Sequence, residues 1–181
     1  MSLRNAINSN SAAATAGAVV LLLVALGVFV WTQSGHGHAP LDAVYYYDLG
    51  ADELFLGEPG QHPPVDAPSG QPGVRAHVFA CGPCPSRDEL LGKSWEEVEA
   101  SSNAYIAHFE RLTDEAREAL LAGDDVQSER VYMLQREGRI LRGPDQPRWV
   151  AAQSAAGQQL QRDAIMRCPR DQSAQPCHPT P

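Results

Sequence analysis

The stretch VFACGPCPSRDELLG, residues 78–92, sets Cys81 and Cys84 on either side of Gly82-Pro83, while the remaining cysteines, Cys168 and Cys177, stand near the other end of the chain. A close cysteine pair serves either reversible redox chemistry or a fixed cross-link. For redox work the first thiol belongs on the N-terminal turn of a substantial helix, whose dipole and free amides lower its pKa. Here Pro85 follows Cys84 directly, where a continuing helix calls for an N–H, and Gly92 interrupts the stretch soon after. The stretch therefore reads as a structural knuckle, with Cys168 and Cys177 as its distant partners.

An even number of cysteines is what a disulfide-stapled domain shows outside the cytoplasm. Four cysteines allow three pairings, and the sequence does not choose among them. Joining the knuckle to the C-terminal pair closes a loop of roughly 90 residues, worth about 4 kcal/mol in the chain-entropy model. The alternative is zinc, held tetrahedrally by the same four thiolates with His178 as a spare ligand beside Cys177. The spacing of Cys81 and Cys84 suits zinc, whereas the gap between Cys168 and Cys177 is loose. Both readings bring the C-terminal tail back onto the turn at Cys81 and Cys84.

Outward toward the N-terminus, residues 12–31 read AAATAGAVVLLLVALGVFVW, without a charge and with Thr15 as the one polar side chain. At ~1.5 Å of rise per residue, a helix of this length matches a hydrocarbon core of roughly 30 Å. The run predicts a single transmembrane signal-anchor helix. A cleaved signal peptide has a shorter apolar core, and the best small-x-small site, Gly37-His38-Ala39, is followed at once by Pro40. Arg4 and the N-terminal amine precede the span and no Lys or Arg follows it until Arg75, which predicts a cytoplasmic N-terminus over residues 1–11. Small residues four apart, Ala13 with Gly17 and Ala14 with Ala18, allow two such helices to approach as a homodimer. Residues 32–41 form a polar linker whose His36 and His38 are too few donors for a closed metal shell.

The remaining residues, 42–181, are expected to form one extracytoplasmic domain. The chain carries a net charge of −8, and its single basic residue before Trp31 is Arg4, so the domain is more acidic still. That balance argues against a nucleic-acid partner, which relies on clustered Lys and Arg.

Short strands are predicted at residues 43–47 and 54–56, with one ring of Tyr45-Tyr46-Tyr47 in the core and its neighbour partly wet. Residues 57–73, with five prolines and four glycines, predict a long loop that crosses the surface and is the best candidate for a contact region outside the cysteines. Val74 to Ala80 alternate as a strand that delivers Cys81. Ser94 and Glu97 stand at capping-box spacing, and Trp95, Val98, Tyr105, Phe109 and Leu112 follow helical spacing. Thr113 caps a second helix that Gly123 ends. Val131-Tyr132-Met133-Leu134 and Ile140-Leu141 predict a hairpin turning near Gly138, and Trp149-Val150 a further short strand. A last helix follows Ser154, with Leu160, Ala164 and Ile165 on one side, and brings Cys168 to its end before Pro169.

The expected fold class is α+β: a single transmembrane helix, then a small domain with a mostly antiparallel sheet and two or three helices, stapled by cysteines. His77, on a strand, and His108, on a helix, read as packed rings rather than as an acid or base. The chain has no Gly-rich phosphate loop before a helix, no Ser-centred elbow and no His-x-x-x-His pair.

Two resemblances bear on function. Cys-Gly-Pro-Cys resembles the redox tetrapeptide of thioredoxin, but the likeness covers four residues. Ala80 stands where thioredoxins have Trp, and the chain offers no counterpart of their cis-proline loop. The segments YYYDLGADELF, PPVDAPSG, GVRAHVFACGPC, FERLTDEA and MRCP with a final Cys are together similar to small single-pass membrane proteins of planctomycete bacteria. That resemblance implies an anchor and an outer domain, and no activity or cofactor. The expectation is an extracytoplasmic structural or binding module that meets the bilayer through residues 12–31 and an envelope protein through its domain. The alternative is a membrane-tethered thiol-disulfide oxidoreductase using Cys81 and Cys84.

Overall fold

Val44-Tyr45-Tyr46-Tyr47-Asp48 forms the first strand of a sheet, as β-branched and aromatic side chains favour. The computed structural model describes residues 43–122 and 128–179, together with Leu22 and Val24. Apart from those two exposed helical residues, the predicted span 12–31 lies outside the described residues, as do the N-terminal segment 1–11, the linker 32–41 and Gly123. Among the described residues no helix is long and apolar enough to cross a membrane. The chain divides into two units, Met1–Pro40 and Leu41–Pro181, and the second is described below.

This unit is α+β. Its strands are β1 (Val44–Asp48), β2 (Glu53–Gly57), β3 (Val65–Asp66), β4 (Pro72–Cys81), β5 (Ala104–Leu112), β6 (Arg139–Arg142), β7 (Val150–Ala151) and β8 (Ala174–Pro176). Its helices are α1 (Arg87–Leu90), α2 (Trp95–Ser101), α3 (Asp114–Leu121), α4 (Ser128–Glu137) and α5 (Ala155–Met166). The strands run in the order β2-β1-β4-β5-β6-β7, with β3 and β8 also paired to β4. Every pairing among the described residues is antiparallel. Five helices stand where the sequence predicts two or three.

One face of the sheet carries the core. Tyr45 and Tyr47 of β1, Leu54 of β2, Val74, Ala76, Val78 and Ala80 of β4, and Ile106 and Phe109 of β5 are buried there under Leu90 of α1 and Val98 of α2. Each large apolar side chain so buried contributes about 1.5–3 kcal/mol relative to exposure. Tyr46 points to the other face and is buried as well, stacked on Phe55 at 5.7 Å, so the expectation of one wet ring in the triplet is corrected.

The long helix expected from Trp95 through Leu112 is also corrected. Ser94 does cap α2, accepting from the Glu97 amide, but the helix stops at Ser101. Tyr105, His108, Phe109 and Leu112 lie on β5. Its register explains the mistaken period. Ala76 faces Phe109 and Val78 faces Ile106, so β5 spends three residues where β4 spends two. This bulge keeps Ile106 and Phe109 on the core face at a spacing of three, while Tyr105 lies on the opposite face with its hydroxyl donating to the Ala164 carbonyl of α5, so buried residues on both faces of one strand fall at helical spacing.

The hairpin expected from Val131 to Leu141 is corrected likewise. Residues 131–134 belong to α4, and β6 pairs with β5 and β7 instead. Gly138 joins them, donating to the Leu134 carbonyl and accepting from the Thr113 amide. The loop expected over residues 57–73 contains β3 and the start of β4. Helices α3 and α5 begin as expected, with Thr113 accepting from the Ala116 amide and Ser154 from the Gly157 amide.

Gly157 sits where α5 crosses β7, and a Cβ there would press on the Ala151 and Ala152 carbonyl oxygens. Alanine gains about 1 kcal/mol over glycine inside a helix, but overpacking costs about 1–3 kcal/mol. Gly157→Ala is therefore expected to lower the unfolding free energy by up to about 2 kcal/mol in urea titrations. A more stable variant would refute the close approach.

Candidate functional site

The four sequence-predicted cysteines come together at one end of β4. That strand delivers Cys81, Gly82 turns the chain with φ +99°, and the Asn103 side chain donates to the carbonyls of Cys81 (3.1 Å) and Pro83 (2.8 Å). The tail returns as β8, pairing Cys81 with Ala174 and Phe79 with Pro176, and the Cys177 amide donates to the Val78 carbonyl at 2.8 Å. Two disulfides result, Cys81–Cys168 with Cα atoms 5.4 Å apart and Cys84–Cys177 at 5.6 Å.

This pairing corrects the zinc alternative, because all four sulfurs are spent in S–S bonds and none is a thiolate ligand. His178 projects from an exposed position beside Cys177. Cys81 and Cys84 are not bonded to each other, and the helix that follows, α1, is four residues long. The arrangement crosslinks the domain and leaves no free cysteine.

A different cluster occupies the second face of the sheet. Arg75 of β4 lies opposite Glu110 of β5, and His77 opposite His108. Glu110 accepts from His77 Nε2 at 3.1 Å and from the Arg139 guanidinium of β6. Burial works against the Glu110 charge, but the His77 hydrogen bond and charge and the adjacent Arg139 outweigh it and hold the carboxyl at about 2. His108 is buried, stacks on His77 at 4.4 Å, and leaves Nδ1 without a partner. Burial first, then the neighbouring His77, pull its pKa down to about 3, against the favourable Glu110, so the ring is neutral near pH 7. A ring so far from charging is poorly placed as a general acid or base at neutral pH.

Above this ionic face lies a cavity of about 320 Å³, walled by residues 60–63, Arg75, Glu110, Leu112 and the α4 side chains Tyr132, Gln135 and Arg136. The loop wall is fixed by the Leu112 amide donating to the Pro63 carbonyl at 2.9 Å and by the Tyr46 hydroxyl donating to the Gln61 carbonyl at 3.4 Å. A second cavity, about 480 Å³, lies between α2 and α5 over Trp95 and Tyr105. Its Arg167 already pairs with Glu99 at 2.9 Å and covers the Tyr105 ring at 4.8 Å, so its cation and its aromatic face are both engaged.

Sequence reasoning missed the first cavity. Alternation in β4 does put Arg75 and His77 on one face, but nothing local joins them to Arg136 and Arg139, which arrive by way of α4 and β6. Comparison with protein-family models, curated proteins and solved structures finds no match for this chain.

Proposed function

We propose that the chain is a membrane-anchored protein whose folded unit is an extracytoplasmic binding module. The observation that carries this reading is the pair of long-range disulfides, because such bonds form and persist in oxidising compartments. The uncharged run at residues 12–31 supplies the signal anchor, with the N-terminus in the cytoplasm. The same reading keeps the chain beside the planctomycete-type single-pass proteins whose motifs it resembles. A cavity of the size small ligands use, lined by convergent polar groups, supports binding as the role of the domain.

The test is differential alkylation of the full chain in its native membranes, read by mass spectrometry before and after reduction. All four cysteines are expected to resist the reagent until reductant is added, and added protease is expected to reach the domain only from the outer side. Cysteines modified without reductant in a protease-shielded domain would overturn the location. A mixed disulfide trapped at Cys81, with turnover of a dithiol substrate, would transfer the protein to the oxidoreductase alternative.

A further inference from the structure

We propose that the cavity between residues 60–63, β4, β5 and α4 binds a small anion through its carboxylate or phosphate oxygens. This rests on the binding-module reading and adds the class of ligand. Arg75, Arg136 and Arg139 line the cavity against a single carboxylate, Glu110. That carboxylate is already engaged by His77 and by Arg139. Neither Arg75 nor Arg136 meets a carboxylate among the described residues.

Guanidinium groups gathered around one partly enclosed space repel each other, and an anion placed among them relieves that repulsion. The concentration runs against composition, since the chain carries −8 overall and the rest of its surface repels polyanions. A discrete ligand fits better than a nucleic acid or another charged polymer. The guanidinium fork matches the planar oxygens of a carboxylate and the oxygens of a phosphate, two donors at a time. At about 320 Å³ the cavity lies at the small end of ligand sites. Gln61, Gln135 and the exposed Tyr132 ring add neutral wall, which suits the carbon frame of an organic anion.

The experiment is calorimetric titration of the oxidised full chain in a nonionic detergent with citrate, with inorganic phosphate, and with glycerol as an uncharged control. Citrate or phosphate is expected to bind and glycerol to give no heat, the stronger of the two anions telling carboxylate from phosphate chemistry. Arg75→Gln is expected to weaken binding about tenfold or more, the loss of one charge-assisted fork. Arg136→Gln, at an exposed helix position with little consequence for folding, is expected to weaken it about threefold or more. Absence of heat with both anions at about 10 mM, where even millimolar affinity registers, would overturn the ligand class. So would binding that both variants leave unchanged. Either failure with cysteines still oxidised on the outer side leaves the binding-module reading intact, whereas reduced cysteines would strike that reading first.

Discussion

Serine at all four cysteines is expected to lower the unfolding free energy by about 7 kcal/mol, whereas serine at either disulfide alone lowers it by about 3 kcal/mol. The inequality follows from how the bonds share a loop. Each spans a long segment, with sequence separations of 87 and 93. With one bond intact, the other closes only the small ring formed by the turn between Cys81 and Cys84 and the tail between Cys168 and Cys177. In the chain-entropy model a ring of about a dozen residues is worth about 3 kcal/mol, and a lone loop of about 90 residues about 4 kcal/mol. The total is comparable with the whole stability of an ordinary domain, roughly 5–15 kcal/mol. Urea titrations of Cys84→Ser/Cys177→Ser, Cys81→Ser/Cys168→Ser and the fourfold variant test this. A fourfold variant as stable as either double variant would show that the long closures contribute little to this fold.

Asp48→Ala is expected to cost about 2–3 kcal/mol. Asp48 is fully buried at the end of β1, yet its carboxylate accepts from the Gly50 and Ala51 amides (2.8 and 3.1 Å) and from the Ser69 amide and hydroxyl (2.9 and 2.6 Å). It holds the β1–β2 turn and the proline-rich loop to one point. Alanine leaves those donors without their acceptor in a site where adding a Cβ to Gly50 would already crowd Gln71 and Ser69. Asp66, exposed on β3 in the same loop, is the control, and Asp66→Ala is expected to stay within about 0.5 kcal/mol of the parent.

The same carboxylate sets an acid limit. Burial opposes its charge, but the Ser69 hydroxyl and amide and the Ala51 and Gly50 amides outweigh it and hold the pKa at about 2, below an ordinary 3.8. A depressed folded-state pKa stabilises the fold above the unfolded value and ceases to do so as pH falls through the folded value. Between pH ~4 and ~2 the Asp48 contribution is lost. Glu110, also held at about 2, loses its contribution over the same range. Asp48→Asn is expected to flatten this acid slope, and a slope equal to the parent's would remove Asp48 from the account.

Much of the framework is legible along the chain. The strands at Tyr45-Tyr46-Tyr47 and Leu54-Phe55-Leu56, the capping residues Ser94 and Thr113, the helix after Ser154, and the return of the tail to the turn at Cys81 and Cys84 all follow from local chemistry. The errors arise where local pattern does not fix the element. Periodicity reports which side chains face inward, and a bulged strand satisfies the helical period as well as a helix does. At Ile106 and Phe109 only the partner strand distinguishes the two, and at residues 131–134 only the packing of α4 does.

By itself, the sequence determined an acidic α+β domain held by four cysteines, because charge, turn chemistry and strand alternation act over a few residues. Tertiary structure alone chose Cys81 with Cys168 and Cys84 with Cys177, buried Asp48 against the odds for a charged residue, and gathered Arg75, Arg136 and Arg139 around one cavity. Those outcomes depend on which distant segments become neighbours, and burial and charge have their effect only after the chain has closed upon itself.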